Sequence, residues 1–440
     1  MKMDFERTAR KAEGYTLNID LPALLNMSLT HNFLLAARQQ EIAELQTLNG
    51  TCELVRRTGE LIHALQAERG SASACLTSPE PSSRERWQDK CTMTNTAISH
   101  LNSLLSDNLS MVGTSRLYAR IALAVHTLTV LSSHRVQVAK LEASAVESTS
   151  QYSKIIDALI ALIFEAIDAT AEPEVSRLLL ALFNLIEAKA YAGLERANGV
   201  RLLGGVPSNK IDQQTLADLI DCQEQSLARF ETFCGEDIRA QWSALQSTLP
   251  LHELEKLRRQ LLSPNSTVPN AVMNTWFDTC SARIDGLHVV ERHMADLIQQ
   301  ACRNRIAETK ALLEEQRESL KINSTPSDVW MAQAMKAAAG QGVDHEQRLV
   351  SRLNRTLMDL LQQQSADLQT MSTELSSVRA VLEDRKLIER AKGLLMVQQR
   401  ISEEAAYGLL RQKAMSQHIK ITEVANALLA MADFFPTRPN

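Results

Sequence analysis

The sequence predicts an all-α protein. Only 4% of its 440 residues are aromatic, and it contains just 15 glycines and 11 prolines. Sandwiches, barrels and doubly wound sheets need β-branched strands and frequent turns built on glycine or proline. Apolar residues instead recur at helical spacing through most of the chain. These observations together favour long helices packed into bundles.

The cysteines and the absence of apolar segments indicate a protein of the cytoplasm. The seven cysteines are scattered and contain no CxxC spacing, which argues against a disulfide framework or a zinc site. No segment approaches the roughly 20 apolar residues of a membrane helix. The N-terminus also lacks the apolar core of a signal peptide. We therefore expect a cytoplasmic protein with no membrane contact, no metal and no cofactor.

Charge is unevenly distributed along the chain. The formal net charge is -5. Residues 379–440 carry ten Lys and Arg against seven Asp and Glu, so this end is basic while the remainder is acidic. A basic end on an acidic body is compatible with nucleic-acid binding.

A large helical domain is predicted over residues 29–321, after an irregular N-terminus at 1–28. Breaks are expected at Asn49-Gly50, in a loop over residues 78–86 and at Gly204-Gly205. The run near residues 153–169 is almost continuously apolar, which predicts a helix buried on most sides. The pattern favours about eight helices in two packed bundles.

Two similar motifs divide this domain into halves. The first is LQAERG at residues 65–70, and the second is GLERANG at residues 193–199. Both place a Glu-Arg pair in a helix rich in small residues. The repetition favours two related halves.

A linker and a seam helix are predicted over residues 322–374. The stretches NSTPSD and AAAGQG are typical of a linker, and from His345 apolar residues recur in alternating steps of three and four. Gln364 occupies a polar core position of this coiled-coil repeat. The helix either pairs with its copy in a dimer or packs on its own protein.

Residues 375–440 are predicted to form a three-helix module. Ser402 is the expected N-cap of its middle helix, with Glu403 and Glu404 in the first turn. The expected apolar faces are formed by Ala405, Ala406, Leu409, Leu410 and Met415, and then by Val424, Leu428, Met431 and Phe435. Eight of the basic residues in this module are spread over it as candidates for a binding surface, namely Arg385, Lys386, Arg390, Lys392, Arg400, Arg411, Lys413 and Lys420.

This module resembles the ANTAR domain. The resemblance rests on Ile388, Glu389, Ala391-Lys392-Gly393, Leu395-Met396, Ser402 to Ala405, Leu410-Arg411, Met415 and Val424-Ala425. It implies a homodimer that binds a leader mRNA folded into two hairpins and so prevents a terminator hairpin from forming. Hairpin loops are recognised by shape, phosphate contacts and stacking, so the eight basic residues become the RNA-binding candidates.

The N-terminal domain resembles the nitrate/nitrite-sensing NIT domain. The resemblance rests on LIHALQAERGSASACL and AKAYAGLERANG. Together with the ANTAR resemblance it implies a one-component antiterminator of nitrate assimilation genes that responds to nitrate or nitrite.

Arg69 and Arg196, one in each motif, are the candidate ligands for the anion. Nitrate is small, planar and singly charged, and its edge matches the two parallel donors of a guanidinium group. Glu68, Gly70, Ser71 and Glu195 lie beside them, and the glutamates either orient the arginines or hold them in the empty state. Two alternatives stay open. In the first, each Glu-Arg pair is only a structural salt bridge at a point of helix packing. In the second, the anion site is completed by other arginines, namely Arg201, Arg258 and Arg259.

The enzyme alternatives find little support in the sequence. Glu60-Leu-Ile-His63 is one half of a di-iron motif, and His288 and His293 do not share a helix face. Phosphate-binding and hydrolase motifs are missing. We therefore expect a regulator whose sensor holds the RNA module while the sensor is empty. Anion binding to the sensor then releases the module. The competing hypothesis is a sensory coiled-coil adaptor whose C-terminal module binds a protein.

Overall fold

The computed structural model describes residues 21–107, 114–168, 170, 172–203, 210–263, 272–323, 344–401, 403–417 and 419–434. Every regular element in these ranges is a helix, which confirms the all-α prediction. The predicted N-cap Ser402, the apolar Phe435 and most of the expected linker lie outside the described residues.

Ten helices are described before the linker, against about eight predicted. They are α1 (Leu21–Thr77), α2 (Pro81–Asp107), α3 (Ser115–Leu128), α4 (Val130–Ala139), α5 (Ala145–Asp168), α6 (Pro173–Leu203), α7 (Lys210–Phe233), α8 (Glu236–Thr248), α9 (Leu251–Leu262) and α10 (Val272–Asn323).

Three predicted boundaries in this part are wrong. Helix α1 begins at Leu21, inside the segment expected to be irregular, and continues without a break through Asn49-Gly50. Buried Leu48 and Cys52 flank that dipeptide, so tertiary packing overrides its low helix propensity. The loop expected over 78–86 is shorter because Pro81 starts α2, and proline suits a first helical turn.

The chain divides into two compact units, and the division falls inside α1, α10 and the later helix that begins at Asp344. One unit comprises residues 1–45 and 305–366, and the other comprises residues 46–304 and 367–440. In the smaller unit, Leu34 and Leu313 are buried, and Arg305 forms an ion pair with Glu41 at 3.8 Å.

Helix α6 is the enclosed centre of the larger unit. Helix α5 packs on one part of it and α7 packs along it, while α3 in turn covers α5. The helix predicted to be buried on most sides is α5, but Lys154 and Asp157 on it are exposed. Most residues of α6 are buried, including charged ones, because α6 has helical neighbours on several faces.

A second part of the same core surrounds Trp276, which is fully buried at the start of α10. Apolar residues from α6, α7 and α9 pack around the indole, namely Val200, Leu203, Leu216, Leu254, Leu257 and Leu261. The end of α6 that carries the second Glu-Arg motif is therefore anchored on α10.

Three helices form the C-terminal module, as predicted. They are α11 (Asp344–Gln399), α12 (Glu403–Gln417) and α13 (Ile421–Phe434). Helix α11 runs without interruption from the predicted seam into the module, so the expected boundary at residue 374 lies within one helix. Arg400, with a φ of 55°, ends α11 in the left-handed conformation that often terminates helices.

The buried face of the module differs in part from the predicted one. Its core consists of Ile388, Ala391, Leu395, Ala406, Leu410, Ala414, Val424 and Ala425. Ala405, Leu409, Met415 and Met431 are exposed instead. Residues 406, 410 and 414 follow a four-residue step, so one narrow stripe of α12 is buried and its neighbours face outward.

The seam of α11 is described in its second half, where Leu375, Val378 and Leu382 are buried. The side chains of Val350 to Leu361, and that of Gln364, lie outside the described residues. In the described part of the chain, no helix has the length and apolar character needed to cross a membrane.

Candidate anion site and basic surface

Helices α1 and α6 cross at the two Glu-Arg motifs, and each helix contributes a glycine to the contact. A Cβ atom at Gly70 would lie 2.8 Å from Cζ of Arg196. A Cβ atom at Gly193 would lie 2.5 Å from Nη2 of Arg69. Each guanidinium group therefore lies against the glycine of the opposite helix, and any larger residue would displace it.

Both motif arginines are buried. Arg69 is 2% exposed and Arg196 is 5% exposed. Arg69 donates from Nη1 to Oγ of Ser153 at 3.0 Å. Arg196 donates to Oγ of Ser281 at 2.8 Å and to the backbone oxygen of Gln66 at 2.9 Å. The structure thus brings the two predicted anion ligands to one helix crossing, although they are more than 120 residues apart in sequence.

Glu68 is held by residues that the sequence did not point to. It accepts two hydrogen bonds from Arg135, both at 2.7 Å, and one from the Tyr152 hydroxyl at 2.6 Å. Burial opposes ionisation of this carboxyl, but the hydrogen bonds from Arg135, Thr94 and Tyr152 lower its pKa. Glu68 is therefore an anion whose charge is neutralised by Arg135.

Glu195 has an equivalent arrangement on α6. Arg258 donates to it twice, at 2.6 and 2.8 Å, and Gln223 donates once at 2.6 Å. Neither glutamate forms an ion pair with the arginine that follows it among the described residues, which argues against a simple Glu-Arg salt bridge within each motif. Of the other arginines considered, Arg258 is engaged by Glu195, Arg201 pairs with Asp212 and Arg259 is exposed.

We expect Glu68→Gln to destabilise the sensor by about 3 kcal/mol at neutral pH, because Arg135 loses a buried partner. The pKa of Glu68 is lower in the folded protein than its ordinary value of 4.5. Its stabilising contribution is therefore complete above that value and is lost as the pH falls through the lower folded pKa. Urea unfolding between pH 7 and pH 3 measures the free energy of unfolding of both proteins. The difference between wild type and variant should become smaller as the pH falls.

The exposed Glu85 of α2, substituted by Gln, is the matched control, because it lies outside the buried cluster. If the loss of unfolding free energy in Glu68→Gln stayed constant down to pH 3, the assigned ion pair with Arg135 would be wrong.

Arg196 has unused hydrogen-bonding capacity. Its Nε, like both amide atoms of the Gln66 side chain, is buried with no hydrogen-bond partner among the described residues. In the same described ranges no carboxylate forms an ion pair with Arg196, and burial lowers its pKa. A small planar anion would supply the missing acceptors and the missing negative charge.

The aromatic ring of Phe277 completes this side of the crossing. Its centroid lies 4.8 Å from Cζ of Arg196, in cation–π geometry. The neighbouring Trp276 donates to the backbone oxygen of Arg196 at 3.0 Å. Both aromatic residues come from α10, so three helices build the site, and nothing in the local sequence near residue 276 signalled this contribution.

The residues weighed for a di-iron centre form a structural cluster. His63 stacks on His288 with ring centroids 3.7 Å apart. Burial and neighbouring positive charges lower the pKa of His63 to about 2, so its ring is neutral. Glu60 pairs with Arg56 at 2.7 Å. Over the described residues, no group of His, Cys, Asp and Glu is arranged to bind a metal ion.

Arg385, the first of the predicted RNA-binding residues, packs against the sensor helix α6 with 14% of its side chain exposed. It forms a two-pronged ion pair with Glu187, one prong being 2.8 Å long, and its Cζ lies 4.8 Å from the ring centroid of Phe183. Burial opposes the charge, but the carboxylates of Glu187 and Glu389 raise the pKa of Arg385. The sequence suggested that Arg385 belongs to a solvated basic surface, but in the structure it is paired with the sensor instead.

Two further RNA-binding candidates contact the sensor. Lys386 pairs with Asp168 of α5 at 2.6 Å, and Arg411 pairs with Asp221 of α7 at 2.5 Å. Tyr407 also contacts the sensor, because its hydroxyl donates to Gln225 of α7 at 2.8 Å.

The remaining candidates fall into two groups. Lys392 is buried inside the module, where it pairs with Glu389 at 2.8 Å and Glu403 at 2.6 Å. The other four are exposed, namely Arg390, Arg400, Lys413 and Lys420. The structure therefore separates the predicted surface into an exposed part and a part covered by the sensor.

Comparison with known families assigns both ends of the chain. The family described as "Nitrate and nitrite sensing" matches residues 60–299, and the ANTAR domain matches residues 376–429. The first match covers more than half of the chain and includes both Glu-Arg motifs.

Two similar proteins have the same extent as this chain. The "Nitrate regulatory protein" of Klebsiella oxytoca is 28% identical over 406 residues, which is 92% of this chain and 95% of that protein. The solved structure titled "Structure of the NasR transcription antiterminator" is 26% identical, with a TM-score of 0.57, and the match covers 91% of this chain and 98% of that one.

Proposed function

Because the chain belongs to the nitrate and nitrite sensing family and also contains an ANTAR domain, we propose that it is a nitrate- or nitrite-responsive transcription antiterminator. Anion binding between Arg69 and Arg196 frees the ANTAR module from the sensor. The freed module binds a two-hairpin leader mRNA, prevents the terminator from forming and switches on nitrate assimilation genes. The protein acts in the cytoplasm as a regulator, with the anion as its only small ligand.

One observation carries this proposal. Helix α6 bears both Arg196 at the anion site and Glu187 at the contact with the ANTAR module. The two residues are nine positions apart, or about 13 Å along the helix axis. A rotation or shift of α6 that accompanies anion binding is therefore transmitted directly to the partner of Arg385.

The chemistry of the crossing favours an anion. The buried guanidinium group of Arg196 is destabilising unless negative charge or water compensates it. Nitrate offers three coplanar oxygen acceptors, which suit the donor geometry of arginine and the amide of Gln66. Since Glu68 and Glu195 are neutralised by Arg135 and Arg258, they do not compete for the motif arginines.

The contacts of the ANTAR module correspond to the empty state of this switch. Arg385, Lys386 and Arg411 are paired with sensor carboxylates, which removes three positive charges from the surface available to RNA phosphates. Release exposes them beside the four side chains that are already exposed. The ligand shifts the equilibrium only by its differential affinity for the two states, and about 1–3 kcal/mol of coupling is sufficient.

We infer that the active form is a homodimer. Large apolar side chains are exposed on α3 and α4, including Leu123, Val130 and Val136. Exposed apolar side chains concentrated in one region are typical of protein interfaces. Light scattering of the full-length protein should give the mass of a dimer, and a monomer that still binds the leader RNA would contradict this inference.

Titration calorimetry of the full-length protein tests the proposed ligand. Nitrate, nitrite, chloride and sulfate are compared at equal ionic strength, and each titration is followed by RNA binding at the same anion concentration. The proposal expects saturable heat and increased RNA binding for nitrate or nitrite alone. Equal responses to chloride and sulfate would show a general salt effect and overturn it.

Removal of the Glu187 carboxylate should uncouple RNA binding from the anion. In Glu187→Gln, Arg385 loses a buried ion pair, so the docked state is weakened by about 2–4 kcal/mol. We expect RNA affinity without nitrate to rise to the nitrate-bound value, which is an increase of about 5- to 150-fold for 1–3 kcal/mol of coupling. Gel-shift titration of a leader RNA measures this change.

Asp221→Asn provides an independent test on α7, because it removes the 2.5 Å ion pair with Arg411. Glu224→Gln on the same helix is the matched control, since Glu224 is exposed. If Glu187→Gln and Asp221→Asn both still required nitrate for RNA binding, as wild type does, the contacts between the ANTAR module and the sensor would have no inhibitory role.

A further inference from the structure

Two buried thiols meet between α1 and α10. The Sγ atoms of Cys52 and Cys302 are 3.5 Å apart, although the residues are 250 positions apart in sequence. Cys52 is 3% exposed and Cys302 is fully buried. All seven cysteines are in the described part of the chain and all are free thiols, and only this pair makes an Sγ–Sγ contact there.

The geometry requires little movement to form a bond. A disulfide has an S–S length of about 2.0 Å, so the two sulfur atoms need to approach by roughly 1.5 Å. Small changes in side-chain torsion angles on two packed helices supply such an approach. The two cysteines therefore differ from Cys75 or Cys280, each of which is buried without a thiol neighbour.

Either thiol of the pair can be the attacking residue. The two thiols are hydrogen-bonded to each other, and either sulfur atom can be the donor. The thiolate is the nucleophile in thiol oxidation, so the cysteine that ionises first attacks, and its neighbour 3.5 Å away is the resolving one.

We propose that Cys52 and Cys302 are a redox modification site whose oxidant is a small, uncharged peroxide. One thiolate of the pair attacks one peroxide oxygen and becomes a sulfenic acid, while hydroxide leaves and takes up the thiol proton to form water. The sulfur of the other cysteine then attacks the sulfenic sulfur, which forms the disulfide and releases a second water. Two thiols lose two electrons, and the peroxide is reduced to two waters.

Burial determines the class of oxidant. A thiol that is 3% exposed or less is reached by a water-sized molecule such as hydrogen peroxide during small openings of the helix contact. Glutathione disulfide is a charged hexapeptide-sized molecule and does not fit between the two helices. Selectivity for peroxide over glutathione disulfide is therefore part of the proposal.

The bond would fix two helices that build the anion site. Helix α1 carries Arg69 and Gly70, and α10 carries Phe277 and Ser281, which contact Arg196. A disulfide between these helices restricts their sliding past each other and closes a loop of about 250 residues in the unfolded chain. The oxidised protein should melt several degrees higher than the reduced protein.

The experiment treats the reduced full-length protein with a fewfold excess of hydrogen peroxide, or with glutathione disulfide for comparison. Free thiols are counted with Ellman's reagent in denaturant, and peptides are mapped without reduction. We expect the thiol count to fall by two with peroxide only, with one linked peptide pair that contains Cys52 and Cys302. An unchanged count, or linkage through Cys91 or another cysteine, would overturn the proposal.

Variants test the requirement for both thiols. In Cys52→Ser and in Cys302→Ser the remaining thiol has no resolving partner, so at least one of the two variants should accumulate a sulfenic acid that dimedone traps, and neither should form a disulfide. Cys280→Ser is the matched control and should still lose two thiols. Disulfide formation in Cys52→Ser or Cys302→Ser would contradict the pairing, and the peptide map of wild type decides the proposal even where a variant fails to fold.

Discussion

The full-length protein carrying Arg196→Met is expected to be more stable than wild type in nitrate-free buffer, and to show no further stabilisation by nitrate. Arg196 is buried without an ionised partner among the described residues, and its Nε has no hydrogen-bond partner there. Methionine fills a similar volume without the cost of burying a charge, so the unfolding free energy should rise by about 1 kcal/mol. Thermal unfolding at increasing nitrate concentration measures both effects.

The affinity for nitrate should fall in parallel. Truncation of a buried, charged hydrogen-bonding partner typically weakens binding by 2 kcal/mol or more, which is at least about a 30-fold increase in Kd. Arg201→Met is the matched control, because Arg201 lies five residues further along α6 and pairs with Asp212 at a partly exposed position. Wild-type nitrate affinity in Arg196→Met would remove Arg196 from the site.

Gly199→Ala is expected to destabilise the sensor by about 3 kcal/mol or more. A Cβ atom at this position would overlap the indole of Trp276, which is fully buried and hydrogen-bonded to the backbone of Arg196. The rigid indole has no free space to move into, since residues of α6, α7 and α9 surround it. Chemical denaturation and the near-ultraviolet signal of tryptophan should both report the loss of packing.

Gly393→Ala is the matched control on α11. No atom lies within 4 Å of a Cβ atom there, so alanine should stabilise the helix by about 0.5–1 kcal/mol. Equal effects of the two substitutions would mean that Trp276 does not pack tightly on Gly199. That outcome would also mean that α10 does not hold Arg196 in place through Trp276.

Two features of the site were predictable because they are local. The Glu-Arg pairs stand out as repeated motifs beside small residues, and the family resemblance assigns them to anion sensing. The identity of the family and the all-α fold are confirmed. The role of Arg69 and Arg196 as anion ligands stays a prediction, which the buried crossing supports.

The partners of the motif glutamates were not predictable. Arg135 and Arg258 lie 67 and 63 residues from Glu68 and Glu195, and the sensor contains many other arginines that could equally have been their partners. Periodicity identifies which face of a helix is apolar, but it does not say which helix covers that face. Only the packing selects one arginine from several.

The basic module illustrates the same limit. The sequence offers no means to distinguish between the eight basic candidates of this module, and the structure divides them by their acidic neighbours. Glu187, Asp168 and Asp221 cover one part of the surface. These acids lie on three different sensor helices, so their convergence is a property of the fold.

By itself, then, the sequence determined the helical class, the order of sensor and RNA module, and the two arginine motifs, because helical periodicity and motifs depend on neighbouring residues. Tertiary structure alone decided that Arg69 and Arg196 lie at one glycine-lined crossing and that the motif glutamates are neutralised by other arginines. It alone also decided that α6 carries both Arg196 and Glu187, the partner of Arg385 in the ANTAR module. These are contacts between distant segments, and their energies depend on burial and on three-dimensional proximity, which no local pattern encodes.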